Sequence, residues 1–109
     1  MYKISIIVSL LDSEKDIMDI VNSFLSQTFD FNELDIIFVY NNSDNFTGSI
    51  IKSLLKWYPN ISEYKVTSNN KWDAYSVGLK NATADYVLFI NENYNLFDYT
   101  FKSLFNLIS

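Results

Sequence analysis

The chain has 109 residues, 49% apolar and 17% aromatic, with two glycines, one proline and a formal net charge of −5. It holds no cysteine and no histidine, which excludes a disulfide framework, thiolate and imidazole metal sites, a cysteine nucleophile and any triad built on histidine. Eight scattered Lys and Arg against 13 Asp and Glu argue against a surface that tracks nucleic-acid phosphates. Residues 4–9, ISIIVS, are β-branched and mostly apolar, the pattern of a strand buried on both faces. Asp12 and Ser13 offer an N-cap, and Ile17, Ile20, Val21, Phe24 and Leu25 recur at helical spacing, predicting an amphipathic helix over 14–26. Residues 34–40, LDIIFVY, form a second strand, and 41–45 a polar loop. Ile50, Ile51, Leu54, Leu55 and Tyr58 mark a second helix that Pro59 and Asn60 stop. Residues 61–67 alternate, as a strand near a sheet edge does. A loop over 68–70 leads into a short helix over 73–81, weakened in propensity by Gly78. Residues 86–90 are a fourth strand with a polar tip over 91–95, and Phe97, Phe101, Leu104, Phe105 and Ile108 give a last apolar helical face.

Strand and helix alternate four times, which calls for a parallel sheet with helices on both faces, joined by right-handed crossovers. The expected architecture is an α/β, Rossmann-like three-layer sandwich with strand order 3-2-1-4, forming one domain over 1–109. Ligands of such sheets bind beyond the carboxyl ends of the strands. The first, second and fourth strand-to-helix loops then converge. A dinucleotide site would need a glycine-rich turn after the first strand, where this chain has SLLDSEKD. A P-loop would need Gly-Lys-Ser or Gly-Lys-Thr, and neither occurs. A phospho-accepting receiver would need an Asp ending the third strand, where Thr67-Ser68-Asn69 stands.

Three segments, ISIIVSLLDSEKDIMDIVNSFLSQTF, LDIIFVYNNSDNFTGSIIKSL and NKWDAYSVGLKNATADYVLFINEN, resemble the nucleotide-sugar-binding first half of family 2 glycosyltransferases, which have the GT-A fold. The resemblance runs from about residue 3 to 95. It implies a donor site for a nucleotide-diphospho-sugar, a UDP-sugar foremost, at Leu11, Asp12, Tyr40, Asn41, Asn42, Asn70 and Asn91. It implies a weak divalent metal site, for Mg2+ or Mn2+, at Asn91, Glu92 and Asn93. The family's Asp-Asp-Gly-Ser turn stands here as Tyr40-Asn41-Asn42-Ser43, its Ala-Arg-Asn-x-Gly helix as Ala74-Tyr75-Ser76-Val77-Gly78, and its Asp-x-Asp as Asn91-Glu92-Asn93. Amides in place of carboxylates bring oxygen ligands without charge.

The resemblance implies sugar transfer to a glycan or cell-surface polysaccharide acceptor, as in bacterial polysaccharide biosynthesis. No residue takes the family's general-base position, so this chain alone is expected to be inactive. A degenerate binding or interaction domain is the alternative. Competing roles stay open for Asp12 (nucleobase or helix N-cap), for Asn41 and Asn42 (uracil or ribose against a tight turn) and for Trp72 and Tyr75 (base stacking against packing). The aromatic load predicts self-association or packing against a further domain. No run is long enough to span a membrane. The expected location is the cytoplasm, including the inner face of the membrane.

Overall fold

A computed structural model of the chain describes residues 2–11, 17–26 and 30–91. The elements in order are β1 (Ile4–Ser9), α1 (Ile17–Leu25), a single 3-10 turn (Phe31–Glu33), β2 (Leu34–Asn41), α2 (Asn45–Trp57), β3 (Ile61–Val66), α3 (Lys71–Asn81) and β4 (Tyr86–Asn91). All strand pairs are parallel, in the order β3-β2-β1-β4. This is the expected arrangement. The first helix's N-cap at Asp12 and Ser13, and the last apolar face over 97–108, lie outside the described residues.

Period-two alternation divides the two central strands between two layers. Ile4, Ile6, Val8 and Leu10 join Leu34, Ile36, Phe38 and Tyr40 beneath Ile17, Ile20 and Val21 of α1 and Ile51 and Leu54 of α2. On the opposite face Ile7, Ile37 and Val39 meet Ala74 of α3. Helices therefore cover both faces. Each large apolar side chain that is fully buried contributes about 1.5–3 kcal/mol, and β1 and β2 supply most of them. That is why these strands read as continuous apolar runs rather than as alternating ones.

Gly78 lies within α3 without breaking it. A Cβ at this position would come 2.4 Å from Ile7 Cγ2 and 2.8 Å from Ile7 Cγ1, so the bare glycine lets α3 rest directly on β1. Both later helices start earlier than their apolar spacing indicates. Asp44 caps α2 by accepting from the backbone N–H of Thr47 at 3.0 Å. Asn70 caps α3 by accepting from that of Trp72 at 2.9 Å. Each supplies an acceptor for one of the N–H groups that a first turn leaves unpaired.

A buried polar knot closes the end of the sheet away from these caps. Ser5 Oγ donates to Asp35 Oδ2 at 2.7 Å, and Thr83 Oγ1 donates to the same oxygen at 3.0 Å. The backbone N–H of Ala84 reaches Ser5 Oγ at 3.0 Å. The knot pins the connection from α3 to β4 beneath β1 and β2.

Candidate functional site

The carboxyl ends of the strands form one rim, and backbone bonds hold it in register. Leu10 N–H donates to Val39 C=O at 2.9 Å, and Asn42 N–H to Val66 C=O at 2.8 Å. Ser9 stands level with Val39 on one side and with Asn91 on the other. Strand ends β4, β1, β2 and β3 thus follow one another along a single edge.

The residues that the sequence singles out divide between the two sides of this rim. On the α3 side Leu11 packs against the cluster of Ile7, Ile37 and Val39. Asn41 reaches the loop after β3 on that side, and Asn70 starts α3. Tyr40, one residue before Asn41, points the other way and is 1% exposed. Its hydroxyl donates to Glu63 Oε2 at 2.8 Å, and Lys52 Nζ lies 3.6 Å from Glu63 Oε1. Burial, then the hydrogen bond and charge of Glu63, then the charge of Asp44, push the phenol up to about 12. Tyr40 therefore stays neutral with its hydroxyl committed, and it does not join Leu11, Asn41 and Asn70. Exposed Asn42 lines a separate cleft of about 250 Å3 on the α2 side, together with Tyr40, Asp44, Gly48, Lys52 and Lys65.

Asn41 is the most connected side chain of the rim. Its Oδ1 accepts from the Ser43 backbone N–H at 2.9 Å and from Ser43 Oγ at 2.7 Å. Its Nδ2 donates to Asn69 Oδ1 at 2.9 Å and to Ser68 C=O at 3.4 Å. Two acceptor sites and two donors are the full capacity of a carboxamide. Asn41 thus clasps the loop after β2 to the loop after β3. Ser68 Oγ donates to Asp73 Oδ2 at 2.6 Å, fixing the second loop to the first turn of α3.

Asn91 ends β4. Asp12, Glu92 and Asn93 lie outside the described residues. Among the described residues no group of three acidic side chains could hold a metal. Trp72, Tyr75 and Phe89 form a row of ring contacts, 5.8 Å and then 4.9 Å between centroids, from the start of α3 to β4. Asn69 carries no mark in the sequence beyond its place in the loop after β3. Its contact with Asn41 depends on the pairing of β2 with β3, which spacing along one chain does not reveal.

A family model described as "Glycosyl transferase family 2" matches residues 5–108. The poly(ribitol-phosphate) beta-N-acetylglucosaminyltransferase TarS of Staphylococcus aureus (strain Mu50 / ATCC 700699) is 30% identical over 94 residues, covering 85% of this chain and 16% of that protein. The minor teichoic acid biosynthesis protein GgaB of Bacillus subtilis (strain 168) is 26% identical over 106 residues, covering 96% of this chain and 12% of that protein. A crystal structure of S. aureus TarS 1-349 in complex with UDP is similar with a TM-score of 0.83 at 27% identity, over 97% of this chain and 32% of the other. The same fragment in complex with UDP-GlcNAc gives 0.80 at 27% identity, over 97% of this chain and 31% of the other. The chain spans less than a fifth of the length of these two curated relatives.

Proposed function

The chain belongs to glycosyl transferase family 2, and on that premise we propose that it is the donor side of a glycosyltransferase. It takes a nucleotide-diphospho-sugar, a UDP-sugar foremost, at the rim formed by the ends of β1, β2, β3 and β4. The reaction it serves breaks the bond between the sugar's anomeric carbon and the diphosphate. The acceptor hydroxyl attacks that carbon, and the acceptor belongs to a glycan or cell-surface polysaccharide. The observation that carries this reading is the likeness, across 97% of the chain, to a relative crystallised with UDP.

The described residues supply binding rather than proton transfer. Asp44 is committed to capping α2 and Asp73 to Ser68, so neither serves as a base at the rim. A divalent ion, Mg2+ or Mn2+, would offset the charge that develops on the diphosphate. The residues to hold it are Asn91, Glu92 and Asn93, which offer one formal charge where the family's Asp-x-Asp offers two. Binding without turnover by this chain alone follows from that donor set and from the commitment of Asp44 and Asp73 to their hydrogen bonds. A cytoplasmic location is part of the reading, in keeping with a chain free of cysteine. Among the described residues no helix is long and apolar enough to cross a membrane.

Calorimetric titration with UDP, with and without Mn2+, tests the proposal. Heat that grows with Mn2+ supports a metal-assisted donor site. Heat indifferent to Mn2+ supports the second reading, a binding domain that has lost the metal, which the two amides of the β4 loop favour. The absence of heat at millimolar UDP would overturn donor recognition altogether.

A further inference from the structure

The outer face of α2 is built unlike the rest of the surface. Phe46 and Trp57 are the two most exposed large apolar side chains among the described residues. With half-buried Ile50 they fall on one line along the helix, and the two rings stand about 16 Å apart. Exposed Ser49 and Ser53 run beside this line, and exposed Lys52 and Lys56 run beyond them. The helix thus shows an apolar edge, a narrow hydroxyl strip and a basic edge, all on the side turned from the core.

Two features suit this face to leaving water. The serine hydroxyls are turned back onto the helix: Ser49 Oγ donates to Phe46 C=O at 2.9 Å and Ser53 Oγ to Ser49 C=O at 3.3 Å. Stripping water from the strip therefore strands no hydroxyl donor. The charge is also of one sign. In a chain of net −5, α2 holds two lysines and no acidic residue. The acids beside it are occupied: Asp44 caps the helix, and Glu63 accepts from Tyr40 and pairs with Lys52. Charges further off are screened beyond about 8 Å at physiological salt, so the helix's own lysines govern a close approach.

We infer that α2 is an interfacial helix that seats the chain on a bilayer surface rich in anionic phosphate headgroups. Phe46 and Trp57 enter the boundary between headgroups and acyl chains, the level that amphipathic rings favour. Lys52 and Lys56 meet the headgroup phosphates. A protein partner would need a surface shaped to two separate rings standing on a convex helix. A fluid layer closes around them unaided.

Vesicles of phosphatidylcholine, with and without phosphatidylglycerol, test this on the 109-residue chain. Its two tryptophans, Trp57 and Trp72, report on different surfaces. In Trp72→Phe the emission of Trp57 moves to the blue when vesicles containing phosphatidylglycerol are added. In Trp57→Phe the emission of Trp72 does not move. Lys52→Gln combined with Lys56→Gln lowers the partition onto these vesicles about tenfold, with thermal unfolding showing that the fold is kept. Phe46→Ser lowers partition onto the same vesicles by a separate route, through lost apolar burial. Unmoved Trp57 emission, an equal shift of Trp57 and Trp72, or a partition indifferent to both lysines overturns the inference. Binding to soluble polyglutamate without binding to vesicles also overturns it and makes an acidic protein the occupant. None of these measurements involves UDP, so the donor reading stands or falls apart from them.

Discussion

Tyr40 and Asn41 are neighbours in sequence and opposites in role, because a strand sends successive side chains to opposite faces. Tyr40 fills the space that Gly48 leaves open: a Cβ on that glycine would stand 3.1 Å from the Tyr40 hydroxyl and 3.2 Å from its ring. Tyr40→Phe keeps this packing and removes the bond to Glu63, a loss of about 1.5 kcal/mol at neutral pH. The pH dependence has a definite sign. The folded phenol titrates near 12 and the unfolded one near 10, so the folded state holds the proton longer. Its contribution is complete below pH 10 and is lost as the pH rises through 12. Urea denaturation at about pH 8 and about pH 11 should therefore show the advantage of the tyrosine over the phenylalanine chain shrinking at the higher pH. A gap that stays constant would show that Tyr40 ionises alike in both states. At the β4 loop, replacing Asn91 and Asn93 together by Asp should raise Mn2+ affinity. Two added charges at short range contribute roughly several kcal/mol before desolvation. Paramagnetic broadening on titrating Mn2+ is the readout, and broadening identical to that of the parent chain would mean that this loop is not the metal position.

The elements were legible in the sequence where burial alone dictated them. Residues 4–9 and 34–40 are so apolar that both central strands could be read directly, and the structure adds only Asn41 to the second. The helices were legible by their apolar faces but not by their starts. The inward face of α2 begins at Thr47 and Gly48, yet the helix starts at Asn45 because Asp44 caps it. In the sequence that stretch is five polar residues, and these look like a loop. The start of α3 was hidden in the same way by the cap at Asn70, and the 3-10 turn over Phe31–Glu33 has no periodicity to betray it. Gly78 was visible only as a weakness in a helix; its role emerges from Ile7, which lies 71 positions away in the chain. Gly78→Ala should destabilise the chain by about 1–3 kcal/mol through overpacking. Combining it with Ile7→Ala should cost less than the sum of the two, since the second change removes the atoms that the new methyl meets. Strict additivity in a thermal-denaturation cycle would show that α3 shifts freely on the sheet. The clasp between Asn41 and Asn69 was illegible for the same reason as the Gly78 contact: it joins elements that only the strand order brings together.

At the scale of the molecule, the aromatic content is not fully absorbed by the core. Trp57 is 79% exposed, Phe46 76% and Trp72 65%. The exposed side chains differ in how ordered they are. Phe46 and Trp57 stand near opposite ends of α2. Trp72 and half-exposed Phe89 are linked through Tyr75 by ring contacts into one row across α3 and β4. Side chains that already hold one another lose less freedom when a partner covers them, so a preordered row is the better docking surface. Charge opposes association only weakly. A net −5 spread over 109 residues is screened beyond about 8 Å at physiological salt. We therefore expect the 109-residue chain to self-associate through the α3 and β4 side. Sedimentation velocity should show the average mass rising with protein concentration. It should rise further with added sulfate, which screens the charge and strengthens apolar burial. Trp72→Ser combined with Phe89→Ser should return the chain toward the monomer, while Trp57→Ser should change little. A monomer at every concentration would mean that this row stays in water in the chain alone. Equal effects of the two sets of substitutions would mean that the association is unspecific.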